Sequence, residues 1–469
     1  MDIHMSKWPL VTDGIHGDVP INFYPAADSE KEVILFPSPG LNKHCTLTDC
    51  TQLRGLHAWN GSIYAVAQRG ATTVLWRIDE SGGFSELGTI TTSASGPVWM
   101  RNNPTQLGIC DGVSLYYYTP TTGLFLQNTD LDFSGASSMD YQDGYGIFTK
   151  PNSRQWGFTA LNNFSSVDAG DFYSKEGRPD NIISILSDHR EPWLLGSESC
   201  EVWHNAGGDN TSPDTPTFAR CSGGLLEMGC GAVKSPANFD NTLVWLSEKG
   251  QLLRAQGYNA SIISTDKFGR EISDYNLFSD AIAFAYTDLE HEFYQITFPS
   301  ADKTWVYDAK TKLFHKKQSW KSGGGFGRHR ANCHAFLNNV HYVGDYANGK
   351  VYTMGVDHLN DDGEEIQRIL HSANFHGGLK PIVFPSIQIE FTPGVGLVSG
   401  LDPQAMLQYS SDGGQTWSNE LWRSVGLIGN YKARAVWNRM GQDFQRMYRL
   451  TVTDPVVWQV LAVHGWGLK

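Results

Sequence analysis

Positive charge is in short supply in this chain, and the shortage limits what it can hold. Its 36 lysines and arginines face 49 aspartates and glutamates, a net charge of −13. A protein that grips nucleic acid through its phosphates presents a basic surface, so a DNA-clamping role is disfavoured. Basic side chains cluster locally at Lys310, Lys312, Lys316, Lys317 and Lys321, and again at Arg328, His329 and Arg330. Long apolar runs are also missing, since no stretch approaches the ~20 residues of a membrane span. Met1 to Val11 lacks the apolar centre of a signal peptide, which gives the expectation of a chain made in a cytoplasm without a membrane anchor. Cysteine is sparse and odd in number: Cys45, Cys50, Cys110, Cys200, Cys221, Cys230 and Cys333 read as reduced thiols. Neither His44 and Cys45 with Cys50, nor His329 with Cys333 and His334, has the paired spacing of a structural zinc site, so no metal is expected.

What the chain does have is material for a core and for many turns. Hydrophobic residues make up 40% of 469 and charged residues only 18%, while 49 glycines and 20 prolines are spread along the whole length. That distribution suits short strands joined by tight turns. From about residue 50 one cadence recurs: an aromatic-rich strand, a turn with Gly, Asn or Asp, then a second strand. Leu56 to Tyr64 contains the hairpin signal Asn60-Gly61, and Gly108 to Tyr118 carries Asp111-Gly112 in what reads as the same place. Marking one strand per unit at Trp76, Tyr116, Trp156, Val202, Leu252, Trp305 and Val351 gives steps of 40, 40, 46, 50, 53 and 46 residues. Units of that length, each worth about four strands, predict a β-propeller of seven blades, or six if one unit is an insertion. A helix is predicted over 272–286, capped by Ser273 or Asp274.

After Met354 the cadence stops. Strand-like runs at Ile387–Phe391, Ala405–Tyr409, Ala433–Trp437 and Met447–Val452 alternate apolar and polar residues, predicting a sheet with one buried face. The expected fold is therefore all-β: an N-terminal arm and closing strand over 1–50, a propeller over 51–356 and an appended β-sandwich over 357–469. Between two of the C-terminal strands lies Ser410-Ser411-Asp412-Gly413-Gly414-Gln415-Thr416-Trp417. Asp412 can accept bonds from the turn backbone, Gly414 permits positive φ, and Thr416 and Trp417 can close and cover the bend. This is an Asp-box-like turn, a structural device rather than a catalytic one.

Catalytic patterns are absent or incomplete. Asp-box turns are frequent in sialidases, and arginines such as Arg54, Arg69, Arg77, Arg101, Arg154, Arg178 and Arg190 could serve a sialidase-like glycan-active site. Only one clear Asp-box is present, however, and it lies outside the propeller. A lectin-like receptor binder is the other alternative on such a fold. Arg220-Cys221-Ser222-Gly223-Gly224 lacks the first glycine of a nucleophile elbow. Gly323 to Gly327 lacks the Lys-Ser/Thr of a phosphate loop and reads as a connector. Asp361, Asp362, Glu364 and Glu365 fit no calcium loop and read as a solvated acidic turn. No catalytic residue and no cofactor is expected.

The order of motifs in the second half resembles a known family. Arg328-His329-Arg330-Ala331-Asn332-Cys333-His334-Ala335-Phe336 and Val343-Gly344-Asp345-Tyr346-Ala347-Asn348-Gly349-Lys350-Val351-Tyr352 look like the packaged DNA stabilisation proteins of short-tailed bacteriophages. So do Asp402-Pro403-Gln404-Ala405-Met406-Leu407 with the Asp-box turn, Asn419-Glu420-Leu421-Trp422, Thr304 to Ala309, and Phe218-Ala219-Arg220 to Gly229-Cys230-Gly231. The resemblance runs from about Pro179 to Pro455. It implies a non-enzymatic tail accessory factor, or tail hub, in the virion tail, made in the host bacterial cytoplasm. Copies would form a ring, a hexamer in the family, below the portal and its adaptor. The ring would extend the DNA channel, help retain the packaged genome, and hold a tail needle or plug and tailspikes or fibres. Double-stranded DNA would pass without sequence-specific binding. Within that picture Lys316, Lys317, Arg328, His329 and Arg330 are candidate assembly contacts, because Arg pairs bidentately with carboxylates. An ordinary blade edge reads the same way.

Overall fold

Two-residue turns set the register of the repeats. In the first hairpin of six of the seven repeats, both turn residues have positive φ: Asn60-Gly61, Asp143-Gly144, His189-Arg190, Asp240-Asn241, Leu289-Glu290 and Asn338-Asn339. Two left-handed residues in a row define the turn whose twist matches that of paired strands. The exception is the second repeat, where Asn103 takes over: its side-chain oxygen accepts from the amides of Thr105 (2.8 Å) and Gln106 (2.6 Å). Asp111-Gly112 joins the second strand of that sheet to the third, so it does not occupy the place held by Asn60-Gly61. The computed structural model describes residues 3–4, 19–27, 33–91, 95–130, 132–212, 214–321, 323–392, 394, 396–397 and 402–467. Of Met1 to Val11, only Ile3–His4 is among them.

The chain divides into two compact units, one of Lys43–Asp302 with Arg330–Thr353, the other of Met1–Asn42, Lys303–His329 and Met354–Lys469. The first unit holds the repeats. Its four-stranded antiparallel sheets follow one another along the chain, beginning with Gln52–Trp59, Ser62–Arg69, Thr72–Ile78 and Phe84–Ile90. In the last of them the order is Ala331–Leu337, Val340–Asp345, Lys350–Gly355, Gly40–Thr46, so a strand from before the first repeat completes the sheet, and Leu47 N donates to Gly349 O (2.8 Å). Six of the seven residues that mark the repeat length, Trp76, Tyr116, Trp156, Val202, Leu252 and Val351, lie on the third strand of their sheets, and Trp305 lies on Lys303–Asp308.

The first strands of neighbouring sheets are stitched into a closed ring. Val98 N donates to Arg54 O (3.2 Å), Arg101 pairs with Asp140, and Ser187 N donates to Asp140 Oδ2 (2.8 Å). Asn238 Nδ2 then donates to Ser187 O (3.1 Å), and Ala283 N to Lys234 O (2.9 Å). Phe284 stacks on His334 at 5.2 Å, and Asn332 Nδ2 closes the circuit on Leu53 O (2.8 Å). At that seam Gly344 has no room for a side chain, because a Cβ there would come within 2.5 Å of Leu53 Cβ. Among the described residues the innermost strands therefore number seven. Between sheets the core is aromatic: Trp156 lies against Tyr173, Trp203 and Phe218.

The helix predicted over 272–286 is a correction. The helix is Asp266–Ser273, capped by Thr265, whose hydroxyl accepts from Phe268 N at 3.3 Å. Asp274 is its C-terminal cap, and Ile282–Asp288 is a strand. The apolar residues of Ile282–Tyr286 repeat too closely for a helical face, and pairing with His291–Phe298 claims their backbone.

The second unit gathers both ends of the described chain. One sheet has the order Phe23–Ala27, Val33–Pro37, Val460–Gly467, Ser386–Phe391, Ala435–Asn438. The other runs Arg368–His371, Gln445–Val452, Gln404–Ser410, Leu421–Ser424. Ile387, Ile389 and Phe391 alternate inward to a core with Trp437, Trp458, Tyr448 and Leu450. The three-stranded meander Lys303–Asp308, Phe314–Trp320, Phe326–Arg328 belongs to this unit too. Asn22 ties it in: its Nδ2 donates to Gln318 O (2.9 Å) and Gln367 O (2.8 Å), while its Oδ1 accepts from Gln318 N (3.0 Å). Gly324 and Gly325, both at positive φ, form the turn before Phe326. Asp361 is not a solvated acid, since it is 2% exposed and accepts from Ser319 Oγ at 2.7 Å.

Candidate functional sites

The Asp-box turn is a closed polar circuit. Asp412 Oδ1 accepts from the amides of Gln415 and Thr416 (both 2.9 Å), and Oδ2 accepts from Thr416 Oγ1 (2.6 Å). Ser410 Oγ donates to Asp412 (2.7 Å) and accepts from Gly414 N (2.8 Å). The Thr416 and Ser410 hydroxyls, with those amides, hold the carboxyl well below the ordinary carboxylate range. Gly413 and Gly414 take φ of 76° and 96°, which this path requires. Trp417 folds against the bend, its ring under the Arg449 guanidinium at 4.4 Å. Both carboxylate oxygens of Asp412 accept hydrogen bonds from within the turn.

The basic candidates are not one patch. Lys317 and His329 are 2% and 3% exposed, enclosed by their own chain. Lys317 faces Thr304 across its hairpin, and His329 N donates to Thr304 Oγ1 (3.1 Å). Lys316 and Arg328 are half-buried, and the Lys316 ammonium lies 4.6 Å over the Trp305 ring. Arg330 belongs to the repeat unit, 4.0 Å from buried Asp345 and 3.4 Å from Tyr352 Oη. Asp345 also accepts from Ala347 N (2.7 Å), Asn348 Nδ2 (2.9 Å) and Tyr352 Oη (2.7 Å). That knot explains why the Gly344 to Tyr352 motif reads so clearly: its polar residues shape a turn.

A cavity of about 240 Å³ lies among the first strands, lined by Arg54, Arg101, Lys234, Asn238, Asn332 and His334 together with apolar side chains. Sequence reasoning missed it, because these residues are far apart along the chain and belong to no spaced motif. Of the arginines weighed for a glycan site, Arg54 and Arg101 line this cavity. Arg69, Arg178 and Arg190 pair separately with Glu86, Glu227 and Asp143. The thiols are not activated: burial pushes Cys45 and Cys230 up to about 11, and Cys110 and Cys333 up to about 12. His44 Nε2 lies 3.1 Å from Asp79 O, and His334 Nε2 lies 3.0 Å from His341 Nδ1. Among the described residues no group of three metal-ligating side chains converges.

With a ring of stitched sheets followed by a sandwich, and with motif residues consumed by turns, the sequence family that matches is telling. Residues 17–358 match the β-propeller of bacteriophage P22 Gp10, and residues 369–464 match its β-sandwich. The chain belongs to this family. It is a podovirus DNA-stabilisation or tail hub protein, a structural component of the virion tail with a β-propeller and a C-terminal β-sandwich. No curated protein sequence matches the chain. Among solved structures it is similar to a streptogramin B lyase, at 11% identity and a TM-score of 0.45, over 68% of this chain and 98% of the lyase. A virginiamycin B lyase from Staphylococcus aureus gives 10% and 0.44, over 66% and 97%. The N-terminal domain of Nup159 gives 8% and 0.42, over 72% and 99%. These likenesses are too distant to bear on function.

Proposed function

We propose that copies of this chain assemble as a ring, a hexamer, below the portal and its adaptor, where they extend the DNA channel and help retain the packaged genome. In this reading the ring anchors the tail needle or plug and the tailspikes or fibres, and the chain makes and breaks no covalent bond. It is made in the host bacterial cytoplasm and incorporated into the virion. The observation that carries the reading is the match of both Gp10 domains, in order, over nearly the whole chain. The internal use of polar groups in the Asp-box and in the Asp345 knot supports a scaffold.

The net charge of −13 bears on the passage of DNA. A wall of like sign repels the phosphates, so retention comes from closure and plug docking while the genome slides freely on release. The test is a particle produced without this chain. Heads should fill and then lose their DNA, and needle and tailspikes should be missing from purified particles. Particles that keep full heads and complete tails would refute the hub role, and a strongly basic lumen in an imaged ring would refute the sliding-wall argument.

A further inference from the structure

The sandwich carries opposite charges on its two sides. Leu421–Ser424 ends one of its sheets and Ala435–Asn438 ends the other. Trp437 Nε1 donates to Leu421 O (2.7 Å) and Arg423 Nε to Val436 O (2.9 Å), which joins the two edges into one side. Residues 421–439, which include both edge strands, hold Arg423, Lys432, Arg434 and Arg439 and no acid. All four are exposed, and among the described residues none of them is in an ion pair. Glu420, the acid next to this stretch, acts on Arg449. The same stretch exposes Leu427, Ile428, half of Trp422 (50%) and most of Tyr431 (73%). Large aromatic side chains beside arginine are the make-up of a protein contact.

The opposite side is acidic. The sheet that ends at Leu421–Ser424 has Arg368–His371 as its other edge, and the stretch running into that strand, residues 357–365, holds Asp357, Asp361, Asp362, Glu364 and Glu365 with no lysine or arginine. Asp361 is turned inward to Ser319, whereas Asp357, Glu364 and Glu365 are exposed. Neither Glu364 nor Glu365 has an ion-pair partner among the described residues. Backbone bonds hold the stretch in place: Gly40 N donates to His358 O (3.1 Å), Leu41 N to Asn360 O (2.9 Å) and Asp362 N to Leu41 O (2.7 Å). Three strand spacings of ~4.8 Å set the two edges of the sheet about 14 Å apart, beyond the ~8 Å screening length of physiological salt. The charges of one copy therefore do not satisfy each other.

We propose, resting on the reading that copies of this chain form a ring, that they meet head to tail through these two sides: Arg423, Lys432 and Arg434 of one sandwich against Glu364 and Glu365 of the next. Two different, complementary patches on opposite sides of one body make a heterologous contact, which closes into a ring, whereas one self-complementary patch makes a pair. Opposite charge sets the orientation of approach, and Trp422 and Tyr431 supply the apolar area that holds it. The occupant is a second copy because this fold itself presents the carboxylates that match its basic side.

The test is a charge swap in the full-length chain. One variant combines Arg423→Glu, Lys432→Glu and Arg434→Glu, and the other combines Glu364→Lys and Glu365→Lys; all five side chains are exposed, and both variants should melt as the wild type does. Each is supplied to particles assembling without the native chain, with the wild-type chain supplied the same way as reference, and its copies per purified particle are counted. Either variant alone should enter in at least about tenfold fewer copies, because like charges then face each other. Supplied together they should enter at the wild-type number, since every contact of an alternating ring again pairs opposite charges. Normal entry of either variant alone, or folded variants that fail to restore entry when combined, would overturn the proposal. Variants that enter in full number but lose DNA or tailspikes would also overturn it, and would assign the basic side to DNA or to another tail component. A wild-type chain absent from the particles would instead defeat the hub reading, so the two failures are distinct.

Discussion

Replacing Trp156 and, separately, Trp245 by phenylalanine removes the same indole edge from two places with no solvent exposure, yet the costs should differ. Each substitution gives up about 40 Å² of buried apolar surface, or about 1 kcal/mol at ~25 cal/mol per Å². A residual void of about 35 Å³ adds about 0.8 kcal/mol to each. The polar edge decides the rest. Trp245 Nε1 donates to Gly229 O at 3.2 Å, whereas Trp156 Nε1 is buried with no partner. Removing a bonded donor deprives the carbonyl and costs about 1 kcal/mol more; removing an unsatisfied donor returns about 1–3 kcal/mol. Trp156→Phe should therefore lie within about 1 kcal/mol of the parent and Trp245→Phe about 3 kcal/mol below it. At about 2 °C per kcal/mol for a unit of this size, the midpoints should separate by about 6 °C in thermal unfolding followed by circular dichroism. If Trp156→Phe proves as destabilising as Trp245→Phe, the argument from the unpaired indole is wrong.

Further expectations concern pH and turns. His57, desolvated between repeats and 2.8 Å from Asn102 Oδ1, is held down to about 4. The unfolded chain therefore binds a proton that the native one refuses, and stability should be full above about pH 6.5 and fall by up to about 3 kcal/mol as pH drops to about 4. His57→Gln should flatten that slope in urea titrations taken at several pH values. Asp180 is lowered although burial alone would raise it, because Lys175, Glu198 N and Ser199 bond its carboxylate. The stability this adds is present above the ordinary carboxylate pKa of about 4 and lost below it, so Asp180→Asn should be weaker at neutral pH with less further loss on acidification. Asp412→Ala should open the Ser410 to Trp417 turn to protease and speed its amide exchange while leaving the propeller's melting unchanged. An equally protected turn in the variant would show that the glycines and Trp417 suffice to hold it.

Much of the architecture was legible because it rests on local rules. Strand alternation at Ile387, Ile389 and Phe391, the roughly 40–53-residue spacing of Trp76 to Val351, and the Asp412 turn each follow from side-chain period, repeat length or turn chemistry within a few residues. The turns at His189-Arg190 and Leu289-Glu290 were not legible, because neither pair favours positive φ and only the register of the paired strands imposes it. The helix misplacement has the same origin: strand pairing overrode a local pattern at Ile282–Asp288. What the amino-acid order determined by itself was the class of fold and the family. What tertiary structure alone decided was which distant residues meet. Lys317 and His329 went to the interior, and Phe23–Ala27 was placed in the sheet of Val460–Gly467. Arg54 and Lys234 were set in one cavity. Closing a ring and a sandwich fixes those neighbours through packing across hundreds of residues, and no short-range pattern encodes that.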